Sequence, residues 1–167
     1  MVISVQPIYE LLKEYDLLGK AHIVLLCPRG DKLTQTKSRE LEKISESKPI
    51  VLICGHYEGI DERIKHFVSE SLSIGDYIIS SGTLAASIVL ESVVRLVPNV
   101  ISEESLVSES FNSEESSADL DFPVYTQPKE FLGLKVPEIL LKGDHTQIQK
   151  FRDSERKPRT TTIKKKK

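Results

Sequence analysis

The densest run of side chains able to do chemistry is Cys54-Gly55-His56-Tyr57-Glu58-Gly59-Ile60-Asp61-Glu62-Arg63. Tyr57, Glu58 and Asp61 offer polar contacts, while Gly55 and Gly59 permit close backbone approach or positive φ. The same residues also suit an ordinary turn and helix cap, with Asp61 or Glu62 facing the helix dipole. Other chemistries find less support. Neither GxGxxG nor a Walker loop is present for a dinucleotide or nucleoside triphosphate, and no GxSxG elbow for a serine nucleophile. His22, His56, His66 and His145 show no metal-ligand spacing, and Cys27 and Cys54 form no CxxC pair. Metal, disulfide and covalent chemistry lose ground together.

The elements that would position this stretch alternate in type. Pro7 to Leu18 places Ile8, Leu11, Leu12, Tyr15 and Leu18 at helical spacing, with Gly19 as the stop. His22 to Cys27 and Ile50 to Cys54 are nearly continuous apolar runs, as expected for parallel strands covered on both faces. Ser38 to Ser45 suits a crossover helix, Asp76 to Ser80 a third strand, and Thr83 to Val97 a helix apolar around much of its circumference. Residues 102–119, with seven serines and six carboxylates, read as an acidic mobile loop or linker. A short strand is expected at Glu138 to Leu141, then a helix capped by Asp144, with Gln147 placed to complete a capping box. This order predicts an α/β fold with a parallel sheet. Ligands in such sheets bind at the carboxyl ends of strands, which directs attention to Cys27-Pro28-Arg29-Gly30, to Cys54 to Gly59, and to Ser80-Ser81-Gly82.

At 167 residues, with 39% hydrophobic and 29% charged side chains, the chain suits one soluble domain with a real core. No apolar run approaches the roughly 18 to 20 residues that cross a bilayer, and the N-terminus lacks a secretory pattern. A cytoplasmic location and no membrane partner are therefore expected. The net charge of −2 conceals an asymmetry: residues 150–167 hold nine basic side chains against two acidic ones. Residues 100–122 hold seven carboxylates and no lysine or arginine. A basic tail beside an acidic body fits either a nucleic-acid contact or a solubilising chain end.

Five ordered stretches carry a resemblance to one family: CGHYEGIDERI (54–64), SIGDYIISSGTLAA (73–86), VVRLVP (93–98), LDFPVYTQP (120–128) and GLKVPEILLKGDH (133–145). In that order they resemble the motifs of the bacterial tRNA (guanine-N1)-methyltransferases, the TrmD branch of the SPOUT superfamily. The resemblance runs from about Val5 to Arg152. It implies a SPOUT-type parallel sheet with helices on both faces, a C-terminal deep trefoil knot and a homodimer. It also implies transfer of a methyl group from S-adenosylmethionine to N1 of the guanine just 3′ of the anticodon in tRNA.

Carried over motif by motif, the cofactor loops correspond to Leu26 and Pro28, to Gly55, Tyr57, Glu58 and Gly59, and to Ile74, Gly75, Asp76, Tyr77, Ile78, Ile79 and Gly82. Asp121 matches the carboxylate expected to act as general base, and Arg95 the cation expected near the guanine O6. Bland alternatives are a turn residue before Pro123 for Asp121 and a surface charge at a helix end for Arg95. The implied organisation is a methyltransferase core over residues 1–101, the acidic loop over 102–119, and the start of a tRNA-binding region with its basic tail over 120–167. Met1 to Pro7 resembles the family's interior, so its opening strand and most of its C-terminal domain are expected to be missing here. Departures fall at Ser81, Thr83, Asn99, Gln127 and Phe151, where many members carry glycine, an acidic residue, glycine, arginine and tryptophan. The competing expectation is a truncated homologue that binds S-adenosylmethionine or RNA without methylating.

Overall fold

The computed structural model describes residues 1–56, 58–102, 105–106, 109–111 and 119–158. The chain divides into two compact units, Met1–Ile101 and Ser102–Lys167. In the first, β1 (His22–Lys32), β2 (Ile50–Cys54) and β3 (Glu70–Ser73) form a parallel sheet in the order β2-β1-β3. His22 to Leu26 pair with Ile50 to Cys54. Side chains alternate across the sheet, so β1 and β2 each serve two cores. Val24, Leu26 and Leu72 pack with Leu41, Ala85, Val89 and Val93 from α2 (Gln35–Ser45) and α3 (Gly82–Val94). Ile23, Leu25 and Ile53 pack on the opposite side with Leu12 of α1 (Val5–Glu14) and Ile64 of the 3₁₀ helix Glu62–Phe67. Helices thus cover both faces, which explains why the central strand β1 is apolar at successive positions.

The local sequence sets the boundaries. α1 stops four residues before the expected Leu18 because Asp16 turns left-handed at φ 55°. Its N–H reaches the Lys13 carbonyl at 3.0 Å and that of Leu17 reaches Leu12 at 2.9 Å, the paired bonds of a Schellman ending. Thr34 caps α2 by accepting the Lys37 N–H, and the buried Ser38 hydroxyl ties α2 to α3 through Ser92 at 3.1 Å.

The third strand lies elsewhere than expected. It is Glu70–Ser73, while Asp76 to Ser80 forms a loop on which Ile78 is 82% exposed. Leu72, fully buried, is the only apolar anchor that edge strand needs, and Gly75 at φ 150° then turns the chain out of the sheet.

In the second unit, β4 (Asp119–Leu120) pairs antiparallel with β7 (Lys157–Pro158), and β5 (Glu130–Phe131) forms a hairpin with β6 (Leu134–Lys135). Leu132 and Gly133 at the tip both take positive φ, as a two-residue hairpin turn requires. The strand expected at Glu138 to Leu141 is instead a 3₁₀ turn: the Leu140 N–H closes back on the Pro137 carbonyl at 3.0 Å. α4 (His145–Glu155) begins as expected, with Asp144 accepting the N–H groups of Thr146 and Gln147. The Gln147 amide meets the Asp144 carboxylate at 2.8 Å rather than the cap's backbone, so the box closes through side chains. Most of the acidic loop at 102–119, and the tail from 159 onward, lie outside the described residues.

Candidate functional site

The site begins with an irregularity in β1. Leu26 and Asp31 both pair with Leu72, so Cys27, Pro28, Arg29 and Gly30 bulge out between them. Gly30 is what allows it: a Cβ there would stand 2.5 Å from the Leu72 nitrogen and the Ser71 carbonyl carbon, closer than any side chain tolerates. The bulge carries Cys27, Pro28 and Arg29 to the rim of a cavity of about 450 Å³.

Two further loops complete that cavity. The turn after β2 contributes Gly55, His56, Glu58, Gly59 and Ile60. The loop after β3 contributes Ile74, Gly75, Tyr77, Ile78, Ile79 and Ser80 before Gly82 starts α3. Ser81 caps that helix by accepting the Thr83 N–H at 3.3 Å. The bulge in the carboxyl half of β1 and the loops that leave β2 and β3 lie at one edge of the parallel sheet, where an open α/β sheet leaves its ligand crevice.

Of the cofactor-loop residues read from sequence, Leu26, Pro28, Gly55, Glu58, Gly59, Ile74, Gly75, Tyr77, Ile78, Ile79 and Gly82 line this cavity. Tyr57 lies outside the described residues. Asp76 is not part of the lining; its carboxylate pairs with Lys32 at 2.5 Å and ties the third loop to the end of β1. Arg95 caps the C-terminus of α3, half-buried and away from the lining, with its N–H on the Glu91 carbonyl. The 3₁₀ helix brings Glu62 and Lys65 to the rim at i,i+3 spacing; the sequence singled out Glu62 only as part of the Cys54–Arg63 run and a cap candidate, and did not single out Lys65.

The rim is charge-balanced. Arg29 meets Glu62 at 2.6 Å, and Lys65 pairs with the other Glu62 oxygen. The Lys65 hydrogen bond, with Arg29 adding to it, holds the Glu62 carboxyl below the usual range. Beside it, the Arg63 guanidinium lowers the Asp61 pKa to about 2, and Asp61 also caps the 3₁₀ helix through the Arg63 N–H. Burial raises the Cys54 pKa, so this thiol stays protonated at neutral pH and is a poor nucleophile. Among the described residues no three histidine, cysteine or carboxylate side chains converge as a metal cluster. A cavity with aliphatic walls and backbone groups at strand ends suits a flat heteroaromatic ligand read along its polar edge.

Asp121 belongs to the second unit. Its N–H donates to the Ser110 hydroxyl at 2.8 Å, and its Oδ1 accepts the Phe122 N–H at 2.7 Å. The Arg152 guanidinium lies 4.8 Å from the Phe122 ring centre and that of Arg156 at 5.9 Å.

Comparison with known proteins gives one consistent result. The family model described as tRNA (Guanine-1)-methyltransferase TrmD matches residues 1–166. A tRNA (guanine-N(1)-)-methyltransferase of Geobacillus kaustophilus is 46% identical over 164 residues, covering 96% of this chain and 64% of the relative. Its counterpart in Shouchella clausii is 43% identical over 155 residues, covering 91% and 61%. That of Macrococcus caseolyticus is 41% identical over 161 residues, covering 96% and 64%. The chain therefore spans 61% to 64% of the length of these relatives.

Proposed function

The chain belongs to the tRNA (guanine-1)-methyltransferase family TrmD, and from that premise we propose that it supports transfer of a methyl group from S-adenosylmethionine to N1 of the guanine 3′ of the anticodon in tRNA. The observation that carries this reading is the convergence of three strand-end loops on one cavity large enough for a nucleoside-sized ligand. When bound, S-adenosylmethionine supplies an electrophilic methyl group. Gly55, Gly59, Gly75 and Gly82 would leave room for the cofactor along the cavity lining, while Leu26, Pro28, Ile74, Ile78 and Ile79 would form apolar walls. Glu58 would supply a polar contact beside them, and Asp76 holds the third loop through Lys32.

The acceptor atom sets the remaining requirement. N1 of guanine carries a proton at neutral pH and becomes a competent nucleophile only as that proton leaves. Asp121 is the proposed base. Arg95 is the proposed cation that stabilises charge developing on O6 as N1 loses its proton. The finer architecture of the reading is the SPOUT type, with a C-terminal deep trefoil knot, a homodimer and a cytoplasmic location. No described helix is long and apolar enough to cross a membrane. Support for the dimer comes from α3, which buries Ala85, Val89 and Val93 yet exposes Leu84, Ile88, Leu90 and Val94. Residues 1–101 are the proposed methyltransferase core, 102–119 the linking loop and 120–167 the start of the tRNA-binding region. The test is incubation with methyl-labelled S-adenosylmethionine and a tRNA transcript, followed by nucleoside analysis. Label in 1-methylguanosine supports the reading, and cofactor binding without any labelled nucleoside favours the non-catalytic alternative.

A further inference from the structure

Asp121 is fixed from three directions within the second unit. Before it, Leu120 pairs with Lys157 in the β4–β7 ladder. At the residue itself, the N–H is held by Ser110. After it, Phe122 sits beneath two guanidinium groups whose residues lie on and just past the last turn of α4. The carboxylate is not independent of that ring, because Asp121 Oδ1 accepts the N–H of Phe122. Any rotation of the Phe122 backbone therefore moves or breaks the bond that orients the carboxylate.

We propose that Arg152 and Arg156 are positioning residues: through the Phe122 ring they fix the peptide whose N–H aims the Asp121 carboxylate. A guanidinium within about 6 Å of an aromatic centre is attracted to its face. Arg152 is exposed, and Arg156 is half-buried and directly precedes the ladder residue Lys157. The end of α4 thus grips both flanks of Asp121, one through the ladder and one through the ring. The functional weight of this arrangement rests on the reading of Asp121 as the base; the grip itself does not.

The Phe122 amide proton reports the carboxylate's orientation directly, so hydrogen exchange on the full chain is the test, needing no turnover. Arg152→Gln should speed exchange at Phe122 by about threefold, and the Arg152→Gln/Arg156→Gln pair by about tenfold. Arg152→Lys, which keeps the charge, should stay within about twofold of the parent. In a Phe122→Leu background, which keeps apolar bulk without the aromatic face, Arg152→Gln should change that amide by less than about 1.5-fold. Unchanged exchange in the double variant, or an equal effect of Arg152→Gln with and without the ring, overturns the proposal. Failure of the functional reading is seen separately: Asp121→Asn would leave methyl transfer intact whatever the Phe122 amide does.

Discussion

Gly82 and Gly55 approach so closely that a Cβ on Gly82 would stand 2.5 Å from the Gly55 carbonyl oxygen and 3.0 Å from the Cys54 Cβ. The first turn of α3 and the loop after β2 consequently form one wall of the cavity. The two glycines nevertheless serve different ends. A Cβ built on Gly55 meets Ile60 side-chain atoms at 3.5 and 3.7 Å and the Gly59 Cα at 3.8 Å, ordinary contact distances.

That difference separates folding from binding. Gly82→Ala should destabilise the chain by about 1 to 3 kcal/mol, because the new methyl overlaps backbone that cannot move aside. Gly55→Ala should cost little stability but weaken S-adenosylmethionine binding about tenfold by narrowing the cavity. Denaturant unfolding and calorimetric titration of both variants check the pair. Equal affinity in Gly55→Ala and the parent would remove Gly55 from the binding wall.

Glu70 predicts an acid limb in the stability profile. Its side chain is only 17% exposed and meets His22 at 2.7 Å and Lys37 at 3.1 Å. Burial works to raise its pKa, but the hydrogen bonds from His22 and Lys37 outweigh it and the net shift is downward. A depressed carboxyl pKa contributes stability that is fully present above the unfolded value near 4.3 and is lost as pH falls through the folded value. Glu70→Gln should therefore be less stable than the parent at pH 7, with the gap closing below about pH 4. A gap that widens on acidification would contradict the assigned direction.

The exposed face of α3 predicts assembly. Leu84→Glu combined with Ile88→Glu should convert a dimer to a monomer without lowering helix content, since both side chains are exposed in the single chain. Sedimentation velocity at micromolar concentration reads the outcome. A parent chain already monomeric there would set aside the homodimer.

Asp121→Ala should lower the methyl-transfer rate by about two orders of magnitude while leaving S-adenosylmethionine affinity within about twofold. Single-turnover transfer to a tRNA transcript measures the first and equilibrium titration the second. A rate within twofold of the parent would remove Asp121 as base.

The parts of this fold legible in sequence are those where burial leaves a strong local pattern. HIVLLC and IVLIC announce β1 and β2 because helices cover both faces of the sheet there. ESLS, in β3, does not announce itself: four residues at a sheet edge need one buried leucine, and DYIIS nearby has the more strand-like composition. Those apolar side chains instead line the cavity or face outward from the loop. The cavity itself was legible through its glycines and the rule that ligands lie beyond strand ends. The arrival of Lys65 at the rim beside Glu62 was not, because it depends on a 3₁₀ turn whose start is fixed by the Asp61 carboxylate accepting the Arg63 backbone N–H.

The proposed S-adenosylmethionine site is formed by the β1 bulge together with the loops after β2 and β3. An NMR titration of the chain with S-adenosylmethionine, following backbone amides, tests it most directly. Saturable shifts are expected at Gly55, Gly59, Ile74, Gly75 and Gly82, tracking one binding curve. Saturation without shifts at these five amides, or no binding at millimolar ligand by a folded chain, would contradict it.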